Sequence, residues 1–142
     1  MPIETNKQVV QRFYGEVLNE HKVDLLEELA VPDYDEHDML PGQGTGLGGL
    51  RDRVTMLING INPRFAIQDV IAEGDKVVVR WKNSGVHTGE FLGIPATGKP
   101  YGIDGIDIYR LQDGKMAEHW HVIDNLAMLQ QLGLIPSPES AG

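Results

Sequence analysis

The sequence predicts an α+β domain in which three helices pack on a curved antiparallel sheet. Apolar residues recur at helical spacing through the first part of the chain, and the segment from Phe65 to Asp124 has the pattern of strands separated by glycine-containing turns. The whole chain, residues 1–142, is short enough to form a single domain and long enough to enclose a pocket. We expect the helices to cover one sheet face and the sheet to curl around them as an open cone.

Three helices are predicted before the sheet. Helical spacing of apolar side chains covers residues 5–20 and 22–30, and it resumes from about Gly48 to Ile61. The glycine-rich segment 41–49 leads into the third helix. Because no Gly-Lys-Ser/Thr sequence follows this segment and no parallel β–α unit surrounds it, we interpret it as a lid or rim over a pocket and not as a nucleotide site.

Most of the remaining chain is predicted to form the sheet. In chain order, the predicted elements are an extended piece at 34–37, a strand containing Phe65, Ile67 and Val70 that turns at 73–75, a β-rich run at 77–87, a loop at 89–98, a long hairpin at 101–124, a short final helix at 126–132 and a mobile tail at 135–142. Helices on one face leave the other face of the sheet uncovered, and we expect a second subunit to cover it.

The composition excludes several classes of chemistry. The chain has no cysteine, which rules out disulfides, thiolate zinc sites, iron–sulfur clusters and cysteine nucleophiles. Its net charge is −9, with acidic residues spread along the chain, and this argues against nucleic acid and anionic membranes as partners. Because the sequence has no apolar run of transmembrane length and no signal pattern at its start, we expect a soluble, cytoplasmic protein.

The most informative segment is the hairpin around Asp113-Gly114, which has carboxylates on its first strand and imidazoles on its second. A three-residue loop at 112–114 would place Asp107 opposite His119, with His121 diagonally across on the same face. A two-residue loop at Asp113-Gly114 would instead turn both imidazoles away from Asp107. We favour the three-residue loop.

This register gives the hairpin a chemical interpretation. Asp107 can orient a histidine and stabilise its charged form, and the histidine can take and return a proton near pH 7. We therefore interpret His121 and Asp107 as candidate catalytic residues. The alternatives are a structural hydrogen-bond pair, a solvated outer face, and a metal site on His119-x-His121 with His37 or His87 as third ligand. Because no further ligand spacing supports the metal site, we expect neither a metal nor a cofactor.

Three further side chains are candidates for substrate binding. Tyr14 belongs to the apolar stripe of the first helix, where it can pack in the core or donate a hydrogen bond to a substrate oxygen. His37 follows the short extended piece beside the glycine-rich loop, where surface exposure is the alternative. Asp104 has the opposite strand parity from Asp107 unless a glycine bulge intervenes.

Several motifs occur together along the chain: His37-Asp38 with Pro41-Gly-Gln-Gly, the loop from His87 to Gly98, Gly105-Ile-Asp107-Ile-Tyr-Arg110, Asp113-Gly-Lys, and Glu118-His-Trp-His-Val-Ile-Asp124 with Leu129-Gln-Gln-Leu-Gly133. In these motifs the chain resembles the SnoaL-like polyketide cyclase family of the NTF2-like superfamily, from Val9 to about Pro136. The resemblance implies an NTF2-like cone around an apolar pocket, a homodimer, and a reaction without metal or organic cofactor.

The resemblance also implies roles for individual residues. The family's cyclases close a ring by intramolecular aldol condensation and use an Asp on the last strand as general acid/base, where this chain has His121. They have a His on the preceding strand, where this chain has Asp107, so the pair is present with its order exchanged. His87, His119 and Asp124 retain the family's residue type and are candidates for substrate binding on that ground.

We expect an enzyme of the cyclase or isomerase type that acts on a small hydrophobic carbonyl compound, a polyketide or an aromatic ester. In this hypothesis His121 moves a proton next to the carbonyl, Asp107 orients His121, and His119, Tyr14 or His37 binds the developing enolate. Two alternatives stay open. One is a hydrolase or hydroxylase that activates water with the same pair, and the other is a non-catalytic module that binds a small hydrophobic molecule.

Overall fold

A computed structural model describes residues 2–136 of the protein. Its elements, in chain order, are α1 (Ile3–Arg12) continued by a π-helical segment (Phe13–Asn19), a 3-10 turn (Val23–Leu25) leading into α2 (Leu26–Leu29), β1 (Ala30–Glu36), α3 (Gly46–Ile61), β2 (Arg64–Glu73), β3 (Lys76–Val86), β4 (Pro100–Gln112), β5 (Lys115–Ile123) and α4 (Asn125–Gln131). The predicted α+β cone with a short C-terminal helix is confirmed. The predicted mobile tail at 135–142 lies outside the described residues beyond Pro136.

Five strands form one curved sheet in the order β1-β5-β4-β3-β2. Strands β2 to β5 are antiparallel neighbours, whereas β1 runs parallel to β5, with Glu36 beside His119. The sheet is therefore mixed at one edge, where only a short extended piece was predicted. Parallel neighbours need a long connection, and here α3 and the strands β2 to β4 separate β1 from β5 along the chain.

Alternation along the strands separates an inner from an outer sheet face. Every second residue of β4 from Tyr101 to Leu111 is buried, and the same holds for β3 from Val77 to Asn83. The helices cover this inner face. Asp107 consequently lies in an otherwise largely apolar row that faces the helices.

The first helix widens where it meets the sheet. From Phe13 to Asn19 its hydrogen bonds follow the π pattern, and Tyr14, Val17 and Leu18 are all buried there. Such widened turns are frequent at functional sites. In this protein the widened turn carries the Tyr14 hydroxyl to β4, where it meets Asp107.

The β4–β5 hairpin differs from its predicted register. Asp113 and Gly114 both have positive φ, 51° and 78°, as a two-residue type I′ loop requires. Leu111 therefore pairs with Met116, and the predicted three-residue loop is wrong.

A β-bulge close to the turn changes the pairing a second time. Leu111 pairs with Met116 and Arg110 with Glu118, so Ala117 is the extra residue on β5. Met116 and Ala117 are both buried, which strict alternation along a strand would not allow. The bulge is therefore the way in which two consecutive apolar side chains both enter the core.

Beyond the bulge, Asp107 pairs with His121, and His119 lies diagonally across from Asp107. The predicted pairing of Asp107 with His119 is wrong. The loop and the bulge together shift the register by two residues, however, and an even shift preserves which side chains share a face. Asp107, His119 and His121 accordingly all line the same cavity.

Within residues 2–136, no helix combines the length and the apolar character needed to cross a membrane.

Candidate active site

A cavity of about 320 Å³ lies between the helices and the inner face of the sheet. This volume is at the lower end of the range typical of small-molecule pockets. Aromatic and aliphatic side chains from both layers form most of its wall: Phe13, Leu18, Leu50, Val54, Leu57, Ile61, Phe65, Ile103 and Met128. Pro41, at the start of the glycine-rich segment, also lines the cavity. The cavity therefore suits a small, largely apolar molecule.

Asp107 is the buried anion of this cavity. Its Oδ2 accepts hydrogen bonds from the Tyr14 hydroxyl and, at 2.7 Å, from Nε1 of Trp81, and its Oδ1 lies 2.9 Å from Nε2 of His119. Burial by itself would raise the pKa of Asp107, but the hydrogen bonds from His119, Tyr14 and Trp81 outweigh it, and the pKa lies below its ordinary value. Asp107 is therefore ionised at neutral pH and is a weak base.

Trp81 reaches Asp107 because its cross-strand partner is a glycine. Gly105 pairs with Trp81, and a Cβ atom built at residue 105 would lie 2.3 Å from the indole ring. The missing side chain lets the indole lie close against β4 with its Nε1 directed at Asp107.

His119 joins two carboxylates. Its Nε2 faces Asp107 and its Nδ1 lies 2.6 Å from Oε2 of Glu36, with the residue only 3% exposed. Burial would lower the pKa of His119, but hydrogen bonds and charge from Asp107 and Glu36 raise it above 6.5. Carboxylate oxygens only accept, so both ring nitrogens of His119 carry a hydrogen, and the ring is an imidazolium held between two anions.

Arg53, on α3, extends this charged row to His121. Its Nη1 lies 3.3 Å from Oε1 of Glu36 and donates at 2.8 Å to the backbone carbonyl of Asp38. Its Nη2 lies 2.7 Å from Nδ1 of His121. The row from Arg53 through Glu36 and His119 to Asp107 alternates in charge, so two buried cations balance two buried anions.

His121 is a half-buried neutral imidazole at the cavity wall. Burial, followed by the charge of Arg53, lowers its pKa below 6.5. A guanidinium can only donate, so Nδ1 of His121 must accept, and the ring proton is on Nε2. Within residues 2–136, Nε2 makes no hydrogen bond. His121 thus provides the cavity with a neutral N–H donor, and the positive charge of Arg53 lies on the other side of its ring.

The structure corrects the predicted partnership between Asp107 and His121. The two residues lie opposite each other on one face, but the hydrogen-bonding partner of Asp107 is His119. Arg53, and not Asp107, orients His121. Asp107 therefore cannot be assigned the role of holding His121.

Tyr14 lines the cavity, but its hydroxyl meets Asp107, a contact that neither predicted alternative, core packing or donation to a substrate oxygen, included. It is 1% exposed, donates to Asp107, and its hydroxyl lies 2.9 Å from that of Tyr109. Burial and the charge of Asp107 raise the pKa of Tyr14 well above 10, so the hydroxyl stays protonated. Its proton is directed at Asp107 and not at the open cavity.

Two of the predicted binding histidines lie away from the cavity. His37 stacks on Trp120 with ring centroids 4.6 Å apart, and its Nε2 lies 2.6 Å from Glu118, so it is on the outer face. His87 is buried, and its Nδ1 lies 3.0 Å from the Thr97 hydroxyl. That contact secures the loop after β3, and neither residue lines the cavity.

The two predicted binding carboxylates also lie elsewhere. Asp104 is exposed on the outer face and lies 3.1 Å from Lys82, because β3 and β4 pair without interruption and no glycine bulge changes its parity. Asp124 caps α4, where its Oδ1 accepts a hydrogen bond from the backbone of Ala127 at 3.0 Å. Neither residue lines the cavity.

The geometry does not fit a metal ion at the paired histidines. Single ligand atoms of Asp107, His119 and His121 come within 4.8 Å of one another. Both nitrogens of His119 already face carboxylates, however, and the Nδ1 of His121 faces a guanidinium, so a cation would have to displace these contacts. The third ligands predicted for such a site, His37 and His87, lie outside it.

Several polar residues of the site were not predicted, among them Glu36, Asp38, Arg53 and Trp81. Signals for two of them exist in the sequence. Arg53 interrupts the apolar stripe that Leu50, Val54 and Leu57 form at helical spacing on α3. This spacing predicts that the Arg53 guanidinium lies on the buried side of the helix. Glu36 shares strand parity with Tyr34, which is buried, and both line the cavity.

Comparison with known proteins identifies relatives of the chain in sequence and in fold. A family model described as SnoaL-like polyketide cyclase matches residues 8–132. The chain is similar to aklanonic acid methyl ester cyclase DnrD from Streptomyces peucetius, with 39% identity over 89 residues, which are 61% of this chain and 61% of that one. The chain therefore matches less than two thirds of the length of this relative.

Two solved structures share the fold over nearly their whole length. TsrD from Streptomyces laurentii superposes with a TM-score of 0.86 at 29% identity, covering 95% of this chain and 99% of TsrD. A protein from Jannaschia Sp. CCS1, provisionally named a SnoaL-like polyketide cyclase, has a TM-score of 0.84 at 25% identity, covering 96% of this chain and 97% of that one. The similarity thus includes the helices and every strand that carries the site.

Proposed function

Because the chain belongs to the SnoaL-like polyketide cyclase family, we propose that it is a cofactor-independent acid/base enzyme that cyclises or isomerises a small hydrophobic carbonyl compound, a polyketide or an ester. The observation that carries the proposal is His121. Its Nε2–H is left for a ligand, its tautomer is set by Arg53, and it stands at the wall of a mainly apolar cavity.

In the proposed reaction, the substrate carbonyl oxygen accepts a hydrogen bond from Nε2 of His121. Loss of a proton from the neighbouring carbon converts the carbonyl compound to an enolate, and the negative charge gathers on that oxygen. A preoriented donor in a low-dielectric cavity stabilises such a charge more than water does. Arg53 strengthens the donor because its positive charge makes the Nε2–H more acidic. His121 thus delivers a hydrogen bond or a proton instead of removing one.

Ring closure follows from the same enolate. Its carbon attacks a second carbonyl carbon of the same molecule, a carbon–carbon bond forms, and the new alkoxide takes a proton. The protein needs to hold the chain folded so that the two carbons approach, and a small apolar cavity provides that positioning. The name of DnrD, an ester cyclase, favours this reaction class over water activation.

Asp107 has a supporting part in this proposal. Its two oxygens are taken by three donors, so it holds His119 and Tyr14 in place and adds negative charge behind the cavity wall. Removal of Asp107 is expected to act mainly by disturbing the structure of the site, because it leaves a buried cation unpaired.

The proposal is tested with 2-tetralone, a bicyclic ketone with an acidic carbon–hydrogen bond beside its carbonyl. In heavy water, enolisation replaces that hydrogen by deuterium, and proton NMR follows the loss of signal. We expect the protein to catalyse the exchange, and His121→Ala to lose about 100-fold or more of it while remaining folded. His37→Ala, on the outer face, serves as the matched control and keeps the wild-type rate.

Other results would replace the proposal. Exchange that persists in His121→Ala would remove His121 from the mechanism. Binding of 2-tetralone without any exchange would favour a binding module. Incorporation of heavy oxygen from labelled water into an ester probe would favour a hydrolase.

We further propose that the outer sheet face pairs with a second copy of the chain. Ile71, Ile106 and Val122 are 63%, 43% and 76% exposed on this face, and Ile106 and Val122 are directly paired across two strands. The ion pair between Arg80 and Asp69, 2.6 Å long, lies at the same face. A symmetric dimer would bring this face against itself, covering the side of the sheet that the helices leave open.

A further inference from the structure

Three carboxylates line the cavity among residues 2–136: Glu36, Asp38 and Asp107. Two of them are committed to buried cations. Asp107 accepts from three donors, one of them His119. Glu36 accepts from His119 and from the backbone N–H of Asp38 through Oε2, while its buried Oε1 makes no hydrogen bond but lies 3.3 Å from Nη1 of Arg53 in an ion pair. A proton taken up by either carboxylate would neutralise the anion that balances a buried cation.

Asp38 differs from these two carboxylates. It lies two residues beyond the end of β1, is half-buried, and its Oδ2 accepts a hydrogen bond from the backbone N–H of His121 at 2.8 Å. Its backbone is also fixed, because its N–H donates to Glu36 at 3.1 Å and its carbonyl accepts from Arg53. Within the described chain, Oδ1 of Asp38 makes no hydrogen bond.

The chemistry of the site requires a group with these properties. His121 presents a protonated Nε2, since Arg53 occupies its Nδ1, so it can donate to a carbonyl oxygen but cannot receive the proton that leaves the carbon. A separate acceptor must stand next to it. Asp38 is bonded to the backbone of the same residue, which keeps the free carboxylate oxygen and the imidazole in one rigid unit.

We propose that Asp38 is the general base of this site, with its Oδ1 removing the proton from the carbon beside the substrate carbonyl. The inference rests on the proposed function. In the step, the carbon–hydrogen bond breaks, its electron pair forms the carbon–carbon double bond of the enolate, and the proton bonds to Oδ1. The carbonyl oxygen takes the negative charge and the hydrogen bond from His121. The protonated Asp38 then returns the proton to carbon in isomerisation, or to the new alkoxide in ring closure.

This assignment also explains the charge arrangement around Arg53. The guanidinium holds the backbone carbonyl of Asp38 through Nη1 and the ring of His121 through Nη2. One side chain therefore sets the position of both the base and the donor. Its charge is balanced by Glu36, so the carboxylate of Asp38 is not consumed in an ion pair with Arg53 within the described residues.

The test compares Asp38→Asn and Asp38→Glu with the wild type in the deuterium exchange of 2-tetralone. Asparagine retains an oxygen for the backbone N–H of His121 but cannot act as a base, so we expect unchanged binding of 2-tetralone and a loss of about 100-fold or more in exchange rate. Glutamate retains a carboxylate at a shifted position and is expected to keep part of the rate. Asp35→Asn, an exposed carboxylate outside the cavity, is the matched control and keeps the full rate.

The outcomes separate the two proposals. Wild-type exchange in Asp38→Asn, with exchange still lost in His121→Ala, would overturn the role of Asp38 and leave the proposed function standing. A wild-type protein that binds 2-tetralone without exchanging it, or that does neither, would overturn both, since no proton is then removed. Loss of 2-tetralone binding in Asp38→Asn, with the exchange rate at saturation unchanged, would assign Asp38 to binding alone and likewise overturn its role as base.

Discussion

Nη2 of Arg53 donates to Nδ1 of His121 across 2.7 Å, and this one contact decides which nitrogen of the ring carries the proton. The pair joins a helix to the last strand, with 67 residues of chain between them. A histidine beside a carboxylate would tend to be a base. The same histidine beside a guanidinium is a donor, and the direction of the proposed chemistry follows from that difference.

Replacing Arg53 by methionine is expected to remove the restriction that holds the His121 ring proton on Nε2. The pKa of His121 should rise, because the charge of Arg53 is, after burial, the main cause that lowers it. Without the guanidinium, Nδ1 can also carry the ring proton and the Nε2–H loses the neighbouring positive charge, so the exchange rate at neutral pH should fall about tenfold or more. Nitrogen-15 NMR of the imidazole rings measures the tautomer and the pKa directly.

The control for this change is Arg51→Met on the same helix. Arg51 lies at the surface, 3.4 Å from Asp24, and its loss should leave the His121 signals and the pH profile as in the wild type. An Arg53→Met variant whose His121 retains its proton on Nε2 would show that the guanidinium does not set the tautomer.

His119 is expected to make stability depend on pH above 6.5. Its pKa is raised in the folded protein, so its contribution is complete below 6.5 and is lost as the pH rises through the folded value. His119→Gln should cost about 3 kcal/mol of unfolding free energy near neutral pH, because Asp107 and Glu36 then face each other without a cation. The difference between wild type and variant should narrow as the pH rises.

Urea unfolding from neutral to mildly alkaline pH measures this difference. The titration of His121 does not interfere there, since a lowered pKa affects stability only below 6.5. The exposed His21, changed to asparagine, is the control and should keep the wild-type slope. A gap between wild type and His119→Gln that stays constant with pH would mean that His119 is neutral in the fold.

The outer sheet face is expected to hold two chains together. Val122→Lys places a charge at the most exposed apolar residue of that face and should convert a dimer to a monomer in light scattering coupled to size-exclusion chromatography. Leu126→Lys changes an apolar residue of α4 that is 60% exposed and should leave the mass unchanged. A wild-type protein that elutes as a monomer at all concentrations would contradict the proposal.

The sequence was sufficient for the architecture because apolar spacing is a local signal. It was sufficient for the shared face of Asp107, His119 and His121 because only the parity of the register matters for that, and the actual shift was even. It was not sufficient for the partners within that face. Asp107 bonds to the diagonal His119 and not to the directly paired His121, because Arg53 on α3 holds the ring of His121.

The remaining residues of the site come from distant elements. Glu36 and Arg53 reach His119 and His121 only after β1 has docked beside β5 and α3 has packed on the sheet. The local sequence pattern does not predict how these elements pack, although an arginine on an otherwise apolar helix face is unusual and can be noticed in the sequence. Conversely, Asp104 looked like a candidate by its residue type, and its strand parity was the better guide.

The extra residue Ala117 has a consequence for comparing relatives. Glu118 would still stand opposite Arg110 if Ala117 were absent, so a hairpin one residue shorter could carry both imidazoles in the same places. Counting residues from the β4–β5 turn therefore does not identify the structurally equivalent residues of two relatives in this hairpin. Side chains that occupy the same point in space in two relatives can be offset by one position when the two sequences are aligned without a gap.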